Sequence, residues 1–109
     1  MGWSLNGQVH QKSGVSNNRA SSRLEAQAGG LTAFIEYRRS PQAITLLHTY
    51  VPPSLGGRGI GGQLARAALE LARVEGLKVI AMCSFVEAYI SRHSEYSELL
   101  KSASSNDIT

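Results

Sequence analysis

Leu55-Gly56-Gly57-Arg58-Gly59-Ile60-Gly61-Gly62-Gln63-Leu64 sets five glycines within seven residues directly ahead of a segment with helical apolar spacing. Glycine averages about 7% of residues, so this cluster marks a place where the backbone bends sharply or is approached closely. From Ile60 to Glu75 the apolar residues Ile60, Leu64, Ala68 and Leu71 recur at three- and four-residue steps. Arg66, Glu70 and Arg73 gather on the opposite face, which predicts an amphipathic helix. Gly76 stands where a left-handed C-terminal cap is expected, and Lys78 to Met82 is a short apolar run typical of a buried strand. Ala43 to Val51 reads as the strand ahead of the glycines, which predicts a strand, helix, strand unit with parallel strands and a right-handed crossover. Backbone N–H groups at a helix start are unpaired and carry roughly half a unit of positive dipole charge, so the turn suits a phosphate or pyrophosphate. Arg58 adds a full charge.

Upstream, Leu24, Ala26 and Ala28 alternate with Arg23, Glu25 and Gln27, which predicts a half-buried strand. Gly29-Gly30 is a hairpin signal. Leu31 to Arg38 is rich in β-formers, and Arg39-Ser40-Pro41-Gln42 supplies a second turn in which Pro41 fixes φ. Three strands and two tight turns make an antiparallel meander, and the helix is available to cover one face of it. Order begins at Val15 to Asn18. Downstream, Val86 to Arg92 reads as a short helix and Glu95 to Lys101 as a further turn or two. The expected organisation is a loose tail at 1–14, one α/β (α+β) domain at 15–101 and a frayed tail at 102–109. Its sheet is mostly antiparallel, with one parallel strand-helix-strand unit and a short C-terminal helix.

Composition excludes several classes. With 109 residues, 42% apolar and 17% charged, the chain is sized for one modest core and is too apolar for wholesale disorder. The net charge of +3 is spread without a basic run beyond Arg38-Arg39, too little for a nucleic-acid binder. Cys83 is the single cysteine, which rules out an internal disulfide, and no Cys or His pairs stand at metal spacing. No apolar run reaches the roughly 18 to 20 residues of a membrane span, and no secretory signal pattern is present. The expectation is a cytoplasmic monomer that needs no metal, nucleic acid or membrane.

Gly57, Gly59 and Gly62 formally satisfy the dinucleotide pattern G-x-G-x-x-G. That pattern also requires an acidic residue about 20 residues on, where this chain runs from Lys78 to Ser84 without an acid. A P-loop requires Lys and then Ser or Thr after its last glycine, whereas Gly61 is followed by Gly62 and Gln63.

A third motif fits better. Gly59-Ile60-Gly61 matches the core of the coenzyme A turn Q/R-x-x-G-x-G/A, although Gly56 stands at its first position. With Ala33-Phe34-Ile35-Glu36-Tyr37-Arg38, His48-Thr49-Tyr50-Val51-Pro52, Cys83-Ser84-Phe85-Val86 and Arg92-His93-Ser94-Glu95-Tyr96, the chain resembles the small single-domain GNAT-like N-acetyltransferases over about 15–100. Ser94 replaces the proline usual in that family's last motif. The resemblance implies an acetyl-coenzyme A dependent acyl transfer to an unidentified amine or thiol. It places Tyr50, Val51 and Pro52 beside the pantetheine, and Gly57, Arg58, Gly59, Ile60, Gly61 and Gly62 at the pyrophosphate. Cys83 falls near the acetyl thioester. A coenzyme A binding or sensing module without turnover is the alternative.

Acetyl transfer needs a nucleophile, donors for the oxyanion, and a route for protonating the leaving thiolate. Cys83 is either the nucleophile, through an acetyl-cysteine, or a buried and inert thiol. His48 is a candidate base in mid-strand, where a satisfied structural histidine is the competing reading. Glu36 is a candidate carboxylate base. His93, at a helix end, is expected to interact with the helix dipole.

Overall fold

The computed structural model describes residues 14–100. The expected tails lie outside the described residues apart from Gly14, as does Lys101. Five strands form a sheet in chain order: β1 (Val15–Asn18), β2 (Arg23–Ala28), β3 (Leu31–Arg39), β4 (Ala43–Tyr50) and β5 (Lys78–Ala81). The first four pair antiparallel and β4 pairs β5 in parallel. The meander therefore has one strand more than the three expected. A 3-10 turn at Arg19–Ser21 links β1 to β2, with the Asn18 Oδ1 accepting from the Ser21 amide at 3.2 Å. Gly29 and Gly30 take φ values of 58° and 80° between β2 and β3, the two-residue hairpin for which paired glycines are suited.

Helix α1 (Ile60–Glu75) runs over the bounds that apolar spacing predicts, and Gly76 closes it at φ 68° with its amide bonded to Ala72 and Arg73 carbonyls. Leu64, Ala65, Ala68, Leu69 and Ala72 are buried against Ile35, Ile44, Leu46 and Val79 of the sheet, so one face of the sheet and one stripe of the helix share a single core. Arg23, Phe34, Glu36, His48 and Tyr50 lie on the other face, half-buried or exposed. Helix α2 (Ser84–Arg92) starts two residues ahead of expectation, because exposed Ser84 and Phe85 break the apolar period while the Val86 and Glu87 amides already bond to the Cys83 carbonyl. The last segment is a 3-10 helix at Ser94–Leu99, anchored by buried Tyr96.

Two irregularities shape the end of the sheet above the glycine turn. Tyr37 pairs with Leu46 and Glu36 with His48, so Leu47 is an extra residue, a β-bulge. The parallel pairing of β4 with β5 runs only from Ala43↔Lys78 to Leu46↔Ala81, after which the Met82 amide donates to the Leu46 carbonyl and the chain turns into α2. The end of β4, from Leu47 to Tyr50, thus continues beyond β5 and opens a gap between the two strands.

Candidate functional site

The glycines at the start of α1 do separate jobs. Gly57 and Gly59 hold φ values of 83° and 75°, in the left-handed region where a side chain is strained. Gly59 is the N-cap, and the first helical bond is donated by the Gln63 amide to its carbonyl at 3.0 Å. The Ile60, Gly61 and Gly62 amides have no acceptor among the described residues. Three free donors at the positive end of a 16-residue helix fit a pyrophosphate, and exposed Arg58 stands beside them. Gly61 is small for a different reason: a Cβ there would lie 2.8 Å from the Phe85 ring of α2. At Gly62 a Cβ would make an ordinary 3.7 Å contact with Tyr89. The Ile60 side chain is buried, so only its amide is available to a ligand. Upstream, Tyr50 is exposed, Val51 packs half-buried on the core, and Pro52 and Leu55 are buried on either side of the loop that delivers the glycines.

Cys83 occupies the N-cap position of α2, half-buried, where the chain leaves β5. Its Sγ lies 3.3 Å from Thr49 Oγ1 on β4, so the sulfur spans the mouth of the gap between the strands. Burial is the largest single influence on the thiol and pushes its pKa up. The contact with the Thr49 hydroxyl and the nearness of the Val86, Phe85 and Thr49 amides together outweigh it, and the thiol sits below its ordinary value of 9.0. The sulfur makes no formal N-cap bond, so the α2 amides act on it as neighbouring dipoles at a helix start, the setting that favours thiolate.

His48 is not brought to Cys83. Because of the bulge, Thr49 shares a face with buried Ile35 while His48 shares the opposite face with Glu36. His48 is exposed, with Phe34 edge-on at 6.3 Å, an environment unlike that of a buried and satisfied structural histidine. Glu36 stands across from it, half-buried, and Tyr50 tilts against Phe34 at 5.6 Å on the same face. His93 does close a helix end: its Nδ1 is 3.0 Å from the Tyr89 carbonyl and its ring stacks on Tyr89 at 4.0 Å. A polar cavity of about 290 Å³ lies between Arg66, Arg73, His93 and Tyr96, on the outer side of α1 and away from Cys83. Among the described residues no group of three or more His, Cys, Asp or Glu is placed to hold a metal, and no helix is long and apolar enough to cross a membrane.

Sequence reasoning missed Thr49 and Phe85. Thr49 was legible only as part of a family-like stretch, and the one local trace of the bulge that turns it is the pair of adjacent leucines Leu46-Leu47. Phe85 has a trace in Gly61, a glycine inside a helix that otherwise favours alanine.

A mixed sheet opening between its two parallel strands, with free amides at the start of the intervening helix, is consistent with the GNAT fold. Residues 23–99 match the family described as GCN5-related N-acetyl-transferase, and the chain belongs to that family. It is similar to Protein NATD1 of Homo sapiens, 38% identical over 50 residues that make up 46% of this chain and 44% of the relative. Protein NATD1 of Xenopus tropicalis is 35% identical over 52 residues, 48% of each chain. The matched segment thus spans about half the length of these relatives.

Proposed function

We propose that this chain transfers the acetyl group of acetyl-coenzyme A to an amine or thiol acceptor through an acetyl-Cys83 intermediate. The observation that carries this reading is the position of Cys83: an accessible thiol, held below its ordinary pKa, at the mouth of the β4–β5 gap. The Ile60, Gly61 and Gly62 amides receive the pyrophosphate, with Gly57 and Gly59 shaping the turn and Arg58 adding charge. Tyr50, Val51 and Pro52 flank the pantetheine arm. In the first step the Cys83 sulfur bonds to the acetyl carbon, the bond from that carbon to the coenzyme sulfur breaks, and the proton given up by Cys83 ends on the departing coenzyme thiolate. In the second step the acceptor takes the acetyl group and Cys83 regains its proton. Exchange between thioester and thiol is close to isoenergetic, so little driving force is lost in the relay.

Mass spectrometry of the intact chain after incubation with acetyl-coenzyme A reads the intermediate as a gain of about 42 daltons, the acetyl increment at a nucleophile. The gain is expected in the wild type and absent in Cys83→Ser; an equal gain in both overturns the relay. Coenzyme A binding without turnover is a second reading, favoured by one observation: among the described residues no carboxylate or imidazole hydrogen-bonds Cys83. Calorimetric binding of acetyl-coenzyme A with no adduct and no acetylated acceptor selects that reading instead.

A further inference from the structure

The Leu47 bulge is the reason Cys83 has a partner. Without it β4 would continue the alternation set by buried Ile44 and Leu46, and His48 would face the core side while Thr49 faced out. One extra residue reverses this beyond Leu46. Thr49 is placed opposite Ile35, on the face from which its hydroxyl reaches Cys83 Sγ at 3.3 Å. The contact joins two segments 34 residues apart across the gap where the parallel pairing has ended.

We propose that Thr49 is a positioning residue for acyl transfer: its hydroxyl donates to the Cys83 sulfur, favours the thiolate, and aims it at the thioester in the β4–β5 gap. This rests on Cys83 being the acetyl acceptor. A hydroxyl can donate to a thiolate or accept from a thiol; donation accompanies the charged form, and a hydrogen bond to a charged group is the stronger of the two. The direction of the thiol's shift agrees, and no charged side chain among the described residues contributes to that shift, so the hydroxyl acts together with the Val86, Phe85 and Thr49 amides alone. The hydroxyl is the one side-chain contributor. Its removal is therefore visible in the titration of the thiol.

Because Cys83 is the only cysteine in the sequence, alkylation by iodoacetamide reads one residue. The rate is measured against pH in the absence of coenzyme A for wild type, Thr49→Val and Thr49→Ser, with far-ultraviolet circular dichroism confirming the fold of each. Valine keeps the branched shape and removes the donor, and serine keeps the donor. Thr49→Val is expected to move the midpoint to higher pH and to slow alkylation at pH 7 about tenfold, the equivalent of one charge-assisted hydrogen bond. Thr49→Ser is expected to restore the wild-type midpoint. A wild-type midpoint in Thr49→Val, or a midpoint displaced equally in Thr49→Ser, overturns the role of the hydroxyl. Acetyl loading is then followed by intact mass in the same three proteins. Loading slowed in Thr49→Val and rescued in Thr49→Ser supports the assignment. Loading of the wild type with an unmoved midpoint in Thr49→Val sinks the Thr49 assignment alone. A moved midpoint with no loading of any variant sinks the acetyl-cysteine reading, and the catalytic role of Thr49 with it.

Discussion

At the residue scale, Gly61 separates two pressures that usually act together on a helical glycine. Replacing a helix-interior glycine by alanine is worth up to about 1 kcal/mol in intrinsic preference. Here a Cβ meets the Phe85 ring at 2.8 Å, and the nearest atom is the ring tip, on a side chain that is 38% exposed and has room to swing. Gly61→Ala is therefore expected to change stability little, the gain in preference offset by displacement of the ring. In a Phe85→Ala background the same substitution is expected to stabilise by roughly 0.5 kcal/mol, because Gly61 is in the first turn and realises only part of the interior preference. The two changes are then non-additive, as contacting residues are. Urea denaturation of the four proteins of this cycle measures it; additive free energies would show that Phe85 does not pack on Gly61. Gly59 is held by its φ of 75° instead, with nothing within 4 Å of a Cβ there. Two glycines of one motif are thus constrained by unrelated features, a side-chain ring at Gly61 and the backbone conformation at Gly59, which no pattern match distinguishes.

At the scale of elements, the 3-10 helix at Ser94–Leu99 is tied to α1 by a single polar contact, the Tyr96 hydroxyl donating to Glu70 Oε2 at 2.5 Å, with the Arg73 guanidinium 5.1 Å from the centre of the Tyr96 ring. Burial, then the hydrogen bond to Glu70 and the nearness of its negative charge, push the Tyr96 hydroxyl from 10.0 up to about 12, with Arg66 opposing. A pKa raised in the folded state means that the neutral hydroxyl is the stabilised form. Its contribution is complete below pH 10 and is lost as pH rises toward about 12. Tyr89 is shifted in the same direction, first by burial, and adds to the same alkaline limb. Tyr96→Phe is expected to cost about 1 kcal/mol at neutral pH, one hydrogen bond, and to flatten the fall in stability above pH 10. Chemical denaturation from pH 7 to 11.5 checks it, and a Phe variant as steep as wild type would refute it. The elements themselves were legible wherever two signals coincided. Apolar spacing and flanking glycines both bound Ile60–Glu75, and alternation with a glycine pair bounds Arg23–Ala28. Where one signal stood alone the limits moved: Ser84 and Phe85 carry no apolar period, yet they form the first turn of α2.

At the scale of the whole molecule, the family and the glycine turn were legible, while the way the candidate residues group was not. His48, Thr49 and Tyr50 all stand on the end of β4 beside the β4–β5 gap, but the face each one occupies is decided by pairing between β3 and β4, and that register leaves no periodic trace in Leu46-Leu47-His48-Thr49-Tyr50. The consequence is a molecule whose proposed ligand site is assembled from parts with different sources of rigidity. The thiol side rests on the sheet and α2, both continuous with the core, whereas the phosphate side is a loop held by buried Leu55 and Pro52 and completed by free amides. A ligand that occupies both sides couples the loop to the core, and its binding free energy appears as stability of the folded chain. Acetyl-coenzyme A at a hundredfold its dissociation constant contributes about 2.7 kcal/mol, which for a domain of this size corresponds to a rise in Tm on the order of 10 °C. Gly59→Val strains the turn at its left-handed residue and is expected to lose most of that rise. Cys83→Ser leaves the amides in place and is expected to keep it. A thermal melt of each protein with and without the ligand decides the matter: equal rises in wild type and Gly59→Val would remove the turn from the site, while a rise lost only in Cys83→Ser would move the binding energy to the sulfur.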